Sequence, residues 1–498
     1  MVFLGKTGAV KLSASRVNDF IQIDGEQSGF YGYKLDSLSG SNGVFVEWQA
    51  TQEGLTLTND AFGLFPLFYV ANKDSVSLSS SITDLTKNSD CSQLDDAAIA
   101  LFLRTGNYIG DTTPFLKIKV LPPGSTLTFD KQGFVLRQTK IAPDSNATVS
   151  LSEAKDIYGD LFHQSIRKFQ NITDTKIGVP LSGGRDSRHI LFELLASGMP
   201  PSSCITMKHQ PPKPDEDAAI AGEVCNFLGI EHCVLEQDRS LLQMEREKNR
   251  LTNLCSLDHS WILPLSRQLS TDGFDAIFDG IAGDVLSAGL FLTESRLNLF
   301  RNERFDQLAD EMLGDEGYLP KLLTEPFYKR FDRELAADLL IEELKQHVDT
   351  QNPVGQFFLW NRTRRNIGLS GWGILSQNTQ VFAPYLDHDL YRFLASLPAE
   401  YFLDHSFHQD TISRCYPKYE HLAYEAKNVA AKKGNRLSVC QNAAELSFHF
   451  RRLLKAESMC RPSFIYPRAL KSLASVDYYS QSKSLFQTAI YLSDLLDA

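Results

Sequence analysis

A serine, two glycines, an arginine, an aspartate and a second serine follow one another at Ser182-Gly183-Gly184-Arg185-Asp186-Ser187, where the β-type run 176–180 gives way to a helical pattern. Backbone amides at such a junction, reinforced by the dipole of the helix that follows, form an anion cradle, and paired glycines let phosphate oxygens approach the main chain. The spacing is neither that of a Walker loop nor that of a dinucleotide fingerprint, so kinase, GTPase and dehydrogenase readings fall. The bland alternative is a glycine-rich turn capped by Ser182 or Asp186. A second turn, Asp279-Gly280-Ile281-Ala282-Gly283-Asp284, closes another β-run at 276–278. If the two runs are neighbouring parallel strands, both turns reach one carboxyl edge of the sheet, where ligands of such folds bind. Asp186 and Asp284 could then share a Mg²⁺, which is content with one or two carboxylates plus nucleotide phosphates. Alone, Asp284 reads as a turn carboxylate; the pairing reverses that.

These turns need elements to hold them. Residues 1–145 are rich in short β-type runs, at 43–48, 55–58, 67–71 and 75–79, with one amphipathic helix at 95–104 and a turn then strand over 121–129. Pro143, Asp144, Ser145 and Asn146 mark a linker at 142–150, after which a helix runs to about residue 169. The pattern then alternates: strand 176–180, helix 187–197, strand 203–207, helix 216–228, strand 232–235. This predicts a parallel sheet with helices on both faces. After Leu290 the chain reads as helical, with charged faces over 301–314 and 334–347. The fold class expected is α/β and α+β, in two domains at 1–145 and 150–498.

Composition excludes several classes. Of the 498 residues 43% are apolar and 22% charged, an ordinary globular balance. Fifty basic against sixty-one acidic residues give −11, which argues against a polyanion such as DNA as main partner. Eight scattered cysteines without a CxxC pair fit a reducing cytoplasm, and no apolar run is long enough to span a membrane.

Taken together, the chain resembles the asparagine synthetase family, which joins a glutaminase-type domain to an ATP-pyrophosphatase synthetase domain. Ser182 to Ser187 matches that family's pyrophosphate loop and Gly280 to Asp284 its second Mg²⁺ turn. Pro214-Asp-Glu-Asp217 followed by Ala221, Pro384-Tyr-Leu-Asp387 and Lys432-Lys433 stand at later landmarks. Asp60-Ala-Phe-Gly63-Leu-Phe-Pro66-Leu-Phe-Tyr69 and Leu121-Pro-Pro-Gly124 resemble the β-rich half. The resemblance implies an N-terminal Ntn-hydrolase-like sandwich followed by a parallel-sheet synthetase domain with a helical C-terminal half. It implies ATP and Mg²⁺, and a reaction in which a carboxylate is adenylated with release of pyrophosphate and then opened by a nitrogen nucleophile. On that footing Ser182, Gly183, Gly184 and Ser187 hold pyrophosphate, Asp186 and Asp284 hold Mg²⁺, and main chain near Leu181, Met207 and Gly280 meets adenosine. Lys432 or Lys433 would steady charge at the reacting centre; a solvated basic loop is the alternative.

Two departures narrow the expectation. Glutaminase chemistry in this family needs an N-terminal cysteine, whereas the second residue here is Val2 and the first cysteine Cys91. The first domain therefore reads as a scaffold, a wrongly chosen start codon being the competing explanation. Ile281 stands where asparagine synthetases carry glutamate and β-lactam synthetases tyrosine, and an isoleucine relays no proton; Val285 replaces a further glutamate. Members without glutaminase activity include lasso peptide cyclases, so a specialised amide-forming synthetase is expected first. Its partners would be a small-molecule or peptide carboxylate and an amine, with a precursor peptide and a protease in the macrolactam version. An ammonia-using asparagine synthetase-like enzyme and a nucleotide-binding pseudoenzyme are the alternatives.

Other features read blandly. His209, His232, His259 and His408 show no metal spacing and are expected to be structural. The stretch 356–365, with Arg362, Arg364 and Arg365, reads as a core helix with a basic face, and 484–496 as a docking helix.

Overall fold

The computed structural model describes residues 1–18, 20–36, 40–87, 89–144, 148–172, 175–209, 214–238, 240–424, 435–454 and 458–498. Short strands, several of them alternating apolar and polar residues, build its first part. Strands β1 (Val2–Leu4), β2 (Lys11–Val17), β3 (Phe20–Gly25), β4 (Ser28–Leu35), β5 (Gly43–Ala50), β6 (Gly54–Asn59), β7 (Phe68–Ala71), β8 (Ser75–Ser79), β9 (Lys119–Val120), β10 (Ser125–Asp130) and β11 (Gly133–Gln138) form two antiparallel sheets. Their orders are β1-β4-β5-β6-β10-β11 and β3-β2-β8-β7-β9. Val44, Val46 and Trp48 on β5, Leu55 and Leu57 on β6, and Leu127 and Phe129 on β10 are buried at every second position. Leu12, Ala14, Val76 and Leu78 of the second sheet join the same core, as period-2 strands must when one face is dry. The helix Asp96–Thr105 starts where Asp95 accepts the amide of Ala98 and stops at left-handed Gly106.

The second part carries a different grammar. Strands β12 (Ile177–Pro180), β13 (Ser203–Met207), β14 (His232–Leu235), β15 (Ala276–Phe278) and β16 (Gln380–Phe382) form a parallel sheet in the order β14-β13-β12-β15-β16. β13, β15 and β16 are buried at every residue, the signature of strands covered on both faces. The helices Asp186–Ala196 and Glu216–Leu228 follow β12 and β13. The helix expected from residue 152 begins at Leu151, because the Ser150 hydroxyl accepts the Glu153 amide.

In the helical half one expectation gains detail and one needs correcting. The charged stretch 301–314 is helical as expected, shared between the end of Glu294–Arg301 and all of Phe305–Leu313, with a break where Glu303 takes a φ of +52°. Over 356–365 there is no basic face: Leu359–Ile367 is a π-helix, and Arg364 and Arg365 are buried within it. Their guanidiniums are taken up by carbonyls from the sandwich. Arg364 donates to Gly63, Gly110 and Leu121, and Arg365 to Ile109, Gly110 and Thr112. The seam between the two parts continues at Tyr33, whose hydroxyl accepts the Ala383 amide at 3.0 Å and whose ring meets Phe382 edge-on. Near the C-terminus the helix Val476–Asp497 brings Tyr491 to Tyr108, hydroxyl to hydroxyl at 2.7 Å. Among the described residues no helix is long and apolar enough to cross a membrane.

Candidate functional site

β12 and β15 are hydrogen-bonded neighbours, so the turns that follow them emerge side by side at the carboxyl edge of the sheet. After Pro180 the chain passes through Leu181 and the Ser182–Gly184 loop into the helix beginning at Asp186. The loop is held by its own polar groups. Ser187 Oγ accepts the Ser182 amide at 3.2 Å, Ser182 Oγ accepts the Gly184 amide at 3.1 Å, and Asp217 Oδ1 accepts the Gly183 amide at 2.7 Å. Asp217 is steadied in turn by His209 Nε2, 2.6 Å from its other oxygen. Leu181 is committed to the sheet, its amide to the Ile205 carbonyl and its carbonyl to the Thr206 hydroxyl. Met207 ends β13, the strand on the other side of β12.

The second turn packs directly on Asp186. A Cβ on Gly280 would come within 2.9 Å of the Asp186 Cβ, and one on Gly283 within 2.7 Å of its carboxyl carbon. Ala282 sits between them at φ +73°, a conformation that costs a non-glycine residue about 1–2 kcal/mol. Burial, and next the negative charge of Asp186, push Asp284 up to about 6. Asp279 stands at about 6 for the same leading reason, burial. A carboxylate edge of this kind, crowded with like charge, is arranged for a cation or a proton.

Below Asp186 lies a buried polar cluster that local spacing did not disclose. His408 Nε2 is 3.0 Å from Asp186 Oδ1, and its Nδ1 is 2.8 Å from the Tyr158 hydroxyl and 2.9 Å from Ser287 Oγ. Tyr385 donates to the Asp186 carbonyl and is met by His189 Nδ1 at 3.1 Å. On the loop's other side Arg188, fully buried, donates to the carbonyls of Gly183, Leu422 and Ala423 and lies 4.2 Å from the centre of the Tyr424 ring. Lys432 and Lys433 lie outside the described residues; Tyr424 is the last described residue before them. Of the residues singled out from sequence, Ser182, Gly183, Gly184, Asp186, Ser187, Gly280 and Asp284 converge at one edge. Asp217, His209, His408 and Arg188 were missed as participants, although Asp217 stood in a quoted landmark. A cavity of about 540 Å³ between sandwich and helical half, bounded by Asp111, Glu343 and Arg364, is separate from this edge.

Residues 31–140 match the model of a glutamine amidotransferase domain, and residues 158–411, just over half of the 498, match that of asparagine synthase. The chain belongs to the asparagine synthase family. Members of the asparagine synthase family are ATP-dependent carbon–nitrogen ligases, and the mixed fold described above agrees with the two matched domains. No curated protein matches. Among solved structures, that of the allosteric regulatory enzyme of purine biosynthesis aligns over 39% of this chain and 47% of its own, at 10% identity and a TM-score of 0.14. This asparagine synthase family chain thus spans about half the length of that structure, a likeness too slight to carry any argument.

Proposed function

We propose that this protein is an amide-forming ligase that adenylates a substrate carboxylate and passes the acyl group to an amine. The observation that carries the reading is the packing of the Gly280–Asp284 turn on Asp186 beside the Ser182–Ser187 loop. The residues fit a Mg²⁺·ATP ligand. Gly280 and Gly283 let the second turn close on Asp186, and the neighbouring carboxyls of Asp186 and Asp284 suit Mg²⁺, which takes its remaining ligands from phosphates and water. The ion's chemistry when bound is to neutralise charge on the departing pyrophosphate.

The chain's own groups do the rest. Asp186 and Asp284 would hold the ion. Ser182, Gly183, Gly184 and Ser187 would receive phosphate oxygens, their present hydrogen bonds, to one another and from Gly183 to Asp217, being exchanged for bonds to the ligand. Leu181, Met207 and Gly280, at the ends of three adjacent strands, would border the nucleoside. Lys432 or Lys433 would face the developing negative charge. In the first step a carboxylate oxygen bonds to the α-phosphorus and the bond to the β-phosphate bridging oxygen breaks. In the second an amine nitrogen bonds to the acyl carbon, AMP leaves, and the nitrogen gives up a proton.

Ile281, buried at 5% exposure, supports an acceptor other than the one used for asparagine. An apolar side chain there neither binds nor relays a proton, which favours an amine already carried by the substrate, as in macrolactam or isopeptide closure, over free ammonia. The test is pyrophosphate against phosphate release from Mg²⁺ and ATP with candidate acids, aspartate and peptides included, for the protein and for Asp186→Ala. Pyrophosphate that disappears in the variant supports adenylation; failure to bind ATP at all sinks the reading.

A further inference from the structure

His408 belongs to no motif, yet it touches both aspartate turns. Its ring is fully buried, Nε2 faces Asp186 Oδ1 at 3.0 Å, and Nδ1 faces Ser287 Oγ, three residues after Asp284 on the short helix Gly283–Ser287. The Nε2 approach lacks the alignment of a hydrogen bond, so this buried nitrogen has no hydrogen-bond partner among the described residues. A buried donor or acceptor left in that condition is costly, and a small rotation of the Asp186 carboxyl completes the bond.

Hydroxyl accounting and distance together order the chain. Ser287 has one hydroxyl hydrogen, and it is spent on the Gly283 carbonyl at 2.7 Å. The Tyr158 hydroxyl lies 2.8 Å from Nδ1 and 3.1 Å from Ser287 Oγ, and its one hydrogen serves Nδ1, the closer acceptor. A neutral ring that accepts from Tyr158 at Nδ1 carries its hydrogen on Nε2, aimed at the carboxylate; the other tautomer would press a bare lone pair against it. Tyr158 O–H to Nδ1, then Nε2–H to Asp186 Oδ1, is the self-consistent arrangement. A quarter of the Asp186 side chain stays exposed at the sheet edge.

We infer that His408 is a positioning residue: through Nε2 it fixes the Asp186 carboxylate, and through Ser287 it ties that carboxylate to the turn bearing Asp284, setting the pair for a divalent cation. The inference rests on the reading of Asp186 and Asp284 as cation ligands. Partners that orient metal ligands are typically worth about 10–100-fold in metal affinity.

The test uses Mn²⁺ with ATP as probe, following free Mn²⁺ by electron paramagnetic resonance on the full chain. Glutamine's amide nitrogen reaches about as far as Nε2, whereas asparagine's stops near Nδ1. His408→Gln should therefore hold Mn²⁺ within a few-fold of the parent, and His408→Asn at least tenfold more weakly, at matched melting temperatures. Tyr158→Phe, which removes the donor to Nδ1, should weaken Mn²⁺ by less than tenfold. Equal affinities for the Gln and Asn variants, with the parent binding normally, overturn the positioning role alone. A parent protein that takes no Mn²⁺ with ATP overturns the cation site and this inference with it.

Discussion

Gly283 lies so close to Asp186 that a Cβ added to it would stand 2.7 Å from both the carboxyl carbon and Oδ1, and 3.0 Å from Cε2 of Tyr385. Tyr385 is fully buried and cannot yield, so the carboxyl must. Gly283→Ala should leave the fold intact and lower pyrophosphate release by about 10²-fold, the usual consequence of displacing a site group by roughly 1 Å. Steady-state assay alongside thermal melting separates the two effects; full activity would mean that the Asp186 geometry is not used.

Asp284 should show opposite effects on activity and stability. Burial and the charge of Asp186 make its ionised form costly. Asp284→Asn removes that cost, so in the absence of divalent cation the variant should be more stable, by at most about 3 kcal/mol. Pyrophosphate release should fall by about 10²–10³-fold. Calorimetry with and without Mg²⁺ checks the sign: added Mg²⁺ should stabilise the parent more than the variant.

Arg364 joins three carbonyls of the sandwich to the π-helix. Arg364→Met takes the donor from the Gly63 and Leu121 carbonyls, Gly110 keeping Arg365, at a cost on the order of 3–5 kcal/mol. Arg364→Lys should rescue little, because a point cation cannot reproduce a planar fork of donors. Unfolding followed by calorimetry should broaden or split as the two parts lose their common transition.

His449 supplies one separable part of the pH dependence. Burial first, and then Arg246 and Arg452, lower it to about 4. Unfolded, it would titrate near 6.5, so the unfolded chain binds the extra proton between those values and stability falls as pH drops through that window. His449→Phe should therefore lose less stability than the parent between pH 7 and pH 5, by at most about 2 kcal/mol. Parallel denaturant melts at the two pH values decide it; an unchanged difference would remove His449 from the account.

Much of the fold was legible because its signals are local. Alternation along 43–50 and 54–59, the buried runs at 203–207 and 276–278, and the Ser-Gly-Gly turn each sit within a dozen residues. What escaped depends on distant partners. Arg364 and Arg365 look like a solvated stripe until carbonyls 243 to 301 residues earlier close around them. His408 carries no spacing signal, since Tyr158 and Ser287 are 250 and 121 positions away. The split of 301–314 did have a local cue in Asn302, a residue type common where helices stop.

The hydroxyl contact between Tyr108 and Tyr491 also sets a timetable for synthesis. The two are 383 positions apart, and Tyr491 also packs on Phe102 with ring centres 4.7 Å apart. A ribosome adding about 5–20 residues per second needs roughly 20–75 s to span that interval. Throughout that time Phe102 and Tyr108 wait without the last helix that covers them. Expression at lower temperature with added chaperone capacity should therefore raise the yield of folded protein more than a stronger promoter does.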